Sequence, residues 1–490
     1  MLSDTWNKKL WLVVISGLSL GLASTVLRYW AFAQTEFATG WDGYYYLVQL
    51  KSLEESGEMH APEGSLIYPY LHVLYWFTGN YMASLKWGSA ILCGCWTILL
   101  YGLPRARNMG LLLAAWSVFS PHLSYFAAEY PKNLLGMVLF VAMIAAMDRE
   151  GKHKWLLVFS LLILNYFGHR MTFGLAVVYL LSSLFFQMKK PILWKGPNLL
   201  IALATFLLIL LAGFLIPGLA QVVDLQRLSG TIACWPQFAP WSFISTFELE
   251  KITWFWLFEL GMVLVLLATI FVQAIRRIPK WKMDYALLLI CLLLLFPFLK
   301  WSLLGFSWRF FLVVVLLIPL LLRTARQHNV YRYAIPILLL GSFFSWKSFM
   351  PGNHDPDYGM YSRLSQNVEK YFETGLKPEL VIAHNAWAEY FTFSTGIDAM
   401  PWLPEYHIDS TRLWRVATGV RLETLRYYAD TSAVESIVSL GSGYMLMPEW
   451  VWQKACTRAA FEGDDYFMAA ANTWRNPSRM RPAWLLRKRK

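Results

Sequence analysis

The chain has 490 residues, 57% of them hydrophobic and only 15% charged, where a water-soluble protein of this length carries about a quarter. That balance excludes an ordinary soluble globular protein, because several apolar stretches are long enough to cross ~30 Å of hydrocarbon as helices. The net charge of +12 is accounted for by the loops described below, so no nucleic-acid partner is implied.

Lys8 and Lys9 precede the first apolar run, Leu10 to Phe32. It is too long for a signal-peptide core, so it is read as an uncleaved first membrane helix. The next loop, residues 33–81, opens on "TGWDGYYYLVQLKSLEESGE". From Gly43 to Gly57 the apolar spacing is helical, with Tyr46, Leu50 and Leu53 on one face and Lys51, Ser52 and Glu55 on the other. This predicts an amphipathic helix lying in the membrane interface, stopped by Gly57. Asp42 stands immediately before it. Two readings are open: an N-cap contributing ~1 kcal/mol, or a general base at a membrane surface.

Ten further spans follow, at about 82–103, 110–127, 133–147, 155–168, 171–188, 199–220, 253–275, 283–304, 309–323 and 334–349. Several are short for a crossing, so some are tilted, broken or buried in protein. Alternate loops are basic: "PRARN", "DREGKHK", "KKPILWKGPN", "RRIPKWK" and "RTARQHNVYR". By the positive-inside rule these face the cytoplasm, with the N-terminus inside and the C-terminus outside. The chain is therefore expected in an inner or plasma membrane as a multi-pass protein.

The opposite loops hold Asp42, His122, Glu129, Lys132, His169, Arg170, Lys300 and Arg309. Charges near membrane depth face a cavity or pathway, and one outer cavity would account for all of them. Each has a plainer reading. Glu129 is also a charge at a helix N-terminus ahead of Pro131. Arg309 and Lys300 are also snorkelling cations, and His122 is also a satisfied polar residue at a helix end. Trp41, Trp235 and Trp241 suit sugar stacking and membrane belts alike.

Residues 351–490 change composition and read as a small soluble α/β domain on the outer side. "PELVIAH" and "GYMLMPEWV" look like strands; "NAWAEYFTFSTG" and "LETLRYYAD" look helical. No G-x-G-x-x-G follows a strand, so no nucleotide site is implied. A disulfide between Cys234 and Cys456 is left open, as is the role of the final "RKRK". No internal repeat supports an inverted-repeat transporter.

The order "GWDGYYYL…LIYPYLHVLYWFTG", "AAEYPKNLLGMVLF" and "SWRFFLVVVLLIPLLL" resembles the GT-C membrane glycosyltransferases, among them the protein O-mannosyltransferases and the lipid A aminoarabinose transferase. The resemblance covers residues 1–350 and implies a polytopic α-helical protein of about 11 transmembrane helices, GT-C-like, with a C-terminal α/β domain outside. It implies a polyprenyl-phosphate-linked sugar as donor, a glycan, lipid or protein hydroxyl as acceptor, and inversion at the sugar carbon. Under it, Asp42 and Glu129 are the catalytic carboxylates. Arg309, Lys300, Arg170, His169 and Lys132 hold the donor phosphate, and Trp41, Tyr45 and Tyr46 contact sugar or acceptor. The oligosaccharyltransferase "W-W-D-Y-G" pattern is absent. No D-x-D occurs in the first loop, so no tightly bound cofactor is expected, with a divalent metal left open. The rival readings are a flippase of lipid-linked sugars, a glycan polymerase or ligase using a lipid-diphosphate donor, and a non-catalytic scaffold.

Overall fold

The computed structural model describes residues 2–60, 64–104, 107–151, 153–187, 237–238, 284–294, 299–300 and 306–321. Beyond these it describes 340, 343, 358–359, 361–362, 365–366, 380–402, 444–448 and 483–487. The spans expected at 199–220 and 253–275, most of 334–349, the "LETLRYYAD" helix, Cys234, Cys456, Trp235 and Trp241 lie outside them. The chain divides into two units. One takes residues 1–36, 64–77 and 86–353; the other takes 37–63, 78–85 and 354–490.

In the first unit the unbroken apolar run makes α1, Leu2–Phe32. Trp11, Val14, Ile15, Leu18, Leu22, Val26 and Trp30 stand exposed along one face, at the three-to-four-residue spacing of a helical stripe. Such a strip of bare apolar surface suits lipid rather than water. Its other face is small and polar. A Cβ on Gly21 would meet Ile98 and the Gly94 backbone of α4, Tyr81–Gly102. Small residues thus let α1 and α4 approach closely, as membrane helices do. Among the described residues, these two helices (α1 from Val13) are long and apolar enough to cross a membrane.

The third expected span, 110–127, is not one helix. It is α5, Arg107–Phe119, followed by α6, Pro121–Glu129, with a bend of 57°. Pro121 cannot donate the backbone bond that would continue α5, and the Ser120 hydroxyl caps α6 by accepting from Leu123 N at 3.3 Å. His122 and Glu129, expected in an outer loop, therefore stand in a helix, and every one of its residues is buried.

Helix α7 is Pro131–Met147, α8 is Lys154–Gly168, and α9 is Arg170–Gln187. These three pack on one another. The contact is closest at Gly136, where a Cβ would collide with the Thr172 hydroxyl, and at Gly168, 3.4 Å from the Gly136 Cα by the same test. Helix α9 also packs on α10, Tyr285–Leu294. Asp284 caps α10, accepting from Leu287 N at 3.0 Å and from the Tyr179 hydroxyl at 2.9 Å.

The span expected over 283–304 ends sooner. Past α10, Leu299–Lys300 (β2) pairs antiparallel with Gln237–Phe238 (β1). Pairing of these two segments is what loops on one side of a bundle do. A further helix, α11, covers Phe306–Leu321 and is buried all round from Leu312 onward. A helix apolar on every face belongs in the middle of a bundle, and α11 packs on α6 and α10.

In the second unit, α2 covers Gly43–Ser56. β3, Leu380–His384, runs straight into α12, Asn385–Thr395, which ends at Gly396 with φ 68°. β4, Asp398–Trp402, returns parallel to β3. β5, Tyr444–Pro448, and β6, Ala483–Arg487, complete a sheet of order β4-β3-β5-β6, with only β6 antiparallel. Helix α12 packs on β3 and β4, and also on α2.

Candidate active site

The loop before α2 is tightly built. Gly40 has φ 81°, a left-handed conformation that glycine adopts without strain. Gly43 N donates to Gly40 O at 3.3 Å, and a Cβ on Gly43 would come within 2.8 Å of the Ala38 Cβ. Asp42 occupies the N-cap position of α2, and its carbonyl accepts from Tyr46 N at 3.2 Å. Its side chain makes no capping hydrogen bond. The helix therefore starts from the Asp42 backbone and does not use the carboxylate. Gly57 closes the helix at φ 74°, donating to Leu53 O at 3.1 Å.

The amphipathic pattern of α2 is present, but its first half is covered by protein. Tyr44, Tyr46, Leu47, Val48 and Leu50 are all buried. Tyr44 sits edge-on to Tyr358 and Tyr390, with ring centroids 4.7 and 4.8 Å away, and 5.5 Å from Phe393. The Lys51 ammonium lies 5.5 Å over the Phe393 ring and donates to Phe393 O at 3.3 Å. A cation at the last turn of α12 is also favoured by that helix's dipole.

Tyr358 ties this cluster to the loop. Its hydroxyl donates to Gly40 O at 2.6 Å and also reaches Trp41 O at 3.4 Å, so the backbone just ahead of Asp42 is held in place. Tyr44 and Tyr358 were not singled out in the sequence. Tyr46, expected to contact sugar, is buried; Trp41 and Tyr45 are half-buried, with Tyr45 edge-on to Tyr46 at 5.7 Å. Tyr358→Phe is expected to cost ~1 kcal/mol of stability, the net value of one hydrogen bond. Tyr358→Ala, which empties the cluster, is expected to cost ~3–5 kcal/mol. Melting curves for the two variants check the difference; an unchanged melting temperature for Tyr358→Phe would mean the hydroxyl holds nothing, and equal losses would mean the ring holds nothing.

The other expected site residues lie in the first unit. Glu129 is the last residue of α6, and Lys132 is in the first turn of α7. Glu129 is buried at 3% exposure, Lys132 half-buried. His169 is the single residue between α8 and α9, in extended conformation, and its Nδ1 accepts from Met171 N at 3.2 Å. The Thr172 hydroxyl donates to His169 O or Asn165 Oδ1, both at 2.7 Å. The closeness of Gly136 to His169 and Thr172 sets this turn against the first turns of α7. The α6–α7 junction and the α8–α9 turn are thus neighbouring segments, which carry Glu129 and Lys132 on one side and His169 and Arg170 on the other. The loop ahead of α3, Ile67–Thr78, is held to the end of α8: Leu66 N donates to Phe167 O at 2.8 Å and Ser65 Oγ to Gly168 O at 3.1 Å. His122 is buried in the first turn of α6.

Lys300 lies on β2, opposite Gln237. Arg309 lies in the first turn of α11, the helix that packs on α6. The fully buried Arg28 of α1 was overlooked in the sequence; it was legible as the one cation inside the first apolar run. Among the described residues no group of three or more His, Cys, Asp or Glu is placed to hold a metal ion.

No protein-family model matches this chain, and no curated protein matches it. Solved structures do. The fold is similar to that of ArnT from Cupriavidus metallidurans bound to undecaprenyl phosphate, with a TM-score of 0.56 and 12% identity over 98% of both chains. It is similar also to the apo state of the same protein, with a TM-score of 0.52 and 11% identity over 99% of this chain and 98% of that one. Near-complete coverage of both chains makes the likeness one of whole architecture, and this α-helical membrane chain has the GT-C fold of the aminoarabinose transferase ArnT.

Proposed function

We propose that the chain is a membrane glycosyltransferase. It moves a sugar from a polyprenyl-phosphate donor to a hydroxyl acceptor at the outer membrane–water interface. The observation that carries this reading is Asp42, a half-buried carboxylate at a helix start that does not use it as a cap. The structural likeness to a protein crystallised with undecaprenyl phosphate supports the donor class.

In this mechanism the Asp42 carboxylate accepts the proton of the acceptor hydroxyl as its oxygen attacks the anomeric carbon. The carbon–oxygen bond to the lipid phosphate breaks from the opposite face, inverting the centre, and the phosphate leaves with the electron pair. Preorganised positive charge stabilises that phosphate. Arg309 supplies a planar fork that matches two phosphate oxygens. Lys300, Arg170, His169 and Lys132 add donors, Glu129 orients the acceptor or the base, and Trp41 and Tyr45, both half-buried, line the sugar side. The isoprenoid tail stays in lipid.

Transfer of a radiolabelled sugar from a synthetic polyprenyl-phosphate donor, by the purified chain in lipid discs, tests the reading. Transfer only from a diphosphate donor would make it a polymerase or ligase. Sugar movement across the bilayer without a product would make it a flippase. The C-terminus is also expected outside. A reporter active only in the cytoplasm, fused after Lys490, is expected to stay silent, and a strong signal would overturn the topology.

A further inference from the structure

Arg28 is fully buried in α1, a helix with bare apolar residues on its other face. A buried guanidinium in a membrane helix is costly and needs a matching set of acceptors. It has one. Nη2 donates to Ser117 O at 2.6 Å and to Ser120 O at 3.2 Å; Nη1 donates to Val118 O at 2.8 Å. Nη1 also donates to Ser24 Oγ at 2.9 Å. Ser24 in turn accepts from the Thr97 hydroxyl at 3.0 Å, and Thr97 shares a hydrogen bond of 2.5 Å with Ser117 Oγ. A small polar network thus joins α1, α4 and the end of α5.

Two of the acceptors, Ser117 O and Val118 O, are carbonyls that the α5–α6 break leaves open. In a continuous helix Ser117 O would accept from the N–H of the residue four places on. That residue is Pro121, which has none. Val118 lies in the last turn of α5, where carbonyls carry partial negative charge that favours a cation; Ser120 O belongs to the start of α6, where it also accepts from Ser124 N at 3.3 Å. Arg28 therefore replaces the bond that proline removes and a second that the break leaves open, in a place where water is not there to do it. What the break achieves is direction. α6 turns by 57° and runs nine buried residues to Glu129.

We propose that Arg28 is a positioning residue: it clips the end of α5 and so aims α6, and with it Glu129, at the reaction. This rests on the reading of Glu129 as a working carboxylate. Lysine keeps the charge but not the planar fork that reaches several acceptors at once. Arg28→Lys is therefore expected to slow transfer on the order of 10²-fold, the penalty of about 1 Å of misplacement. Ser24→Ala, a gentler change that removes one anchor of the fork, is expected to slow it in the same direction and by less.

The test uses the full chain in lipid discs and two cycles. In the first, Arg28→Lys and Ser24→Ala are each combined with Glu129→Gln. If Arg28 acts through Glu129, neither change slows the Glu129→Gln protein further. If the losses multiply, Arg28 supports the bundle at large and the proposal is wrong. Wild-type transfer by Glu129→Gln would instead remove the reading of Glu129, and the positioning role with it. The second cycle needs no activity. Pro121→Ala restores an N–H opposite Ser117 O, so Arg28→Lys should lower the melting temperature less in that background than in wild type. Simple addition of the two losses would overturn the clip itself.

Discussion

Asp42→Asn is expected to give a folded protein whose sugar transfer falls by at least ~10²-fold, the low end for loss of a general base. The substitution separates the two roles open at this position. Asparagine caps a helix about as well as aspartate, so a carboxylate that only capped α2 would be replaced without loss. The structure strengthens the contrast, because the Asp42 side chain makes no capping hydrogen bond and the helix starts from its backbone carbonyl. The melting temperature is therefore expected to change little while turnover collapses. Expression, melting and transfer are measured on one preparation. Near-normal transfer by a well-folded Asp42→Asn protein would remove the assignment and make Glu129 or Glu36 the next base to test.

The start and stop of α2 were legible because each rests on local chemistry. Asp42 sits at the N-cap, and Gly57 supplies the left-handed stop. What covers α2 was not legible. Its period of 3.6 says which residues share a face, not whether lipid or protein lies against it. Tyr44 shows the difference: its partners Tyr358 and Tyr390 lie more than three hundred residues away in sequence. The turn between the spans expected at 155–168 and 171–188 was legible because the two apolar runs are parted only at His169 and Arg170, and α8 and α9 have His169 alone between them.

The broken third span was missed for a different reason. A window of apolar residues averages over "FSPHL", although Ser before Pro is the usual opening of a new helix. Here Ser120 and Pro121 open α6. The span drawn to residue 304 failed likewise, since "LLLLFPFLK" stays apolar past the end of α10 and into β2. Hydropathy reports where the chain avoids water. It does not report where a helix stops inside a protein, and that depends on partners such as Arg28 that arrive from another helix.

Arg309→Ala is expected to lower turnover by roughly 10²–10³-fold, the scale for loss of one preorganised donor at a developing oxyanion. Arg309 stands in the first turn of α11, which is buried from Leu312 onward and packs on the Glu129 helix α6. A helix start gives a fixed backbone direction to a group that must meet two phosphate oxygens at once. Arg309→Lys keeps the charge and loses the bidentate geometry, so it is expected to recover only part of the rate. The two roles open to Arg309 divide on this series. A snorkelling cation at the headgroup level works as well as lysine and contributes nothing to turnover. A phosphate ligand shows a graded loss, Arg above Lys above Ala, together with weaker competition by free polyprenyl phosphate. Wild-type turnover in the alanine variant, at normal protein level, would place Arg309 among the snorkelling residues and leave the leaving phosphate to Lys300, His169 and Arg170.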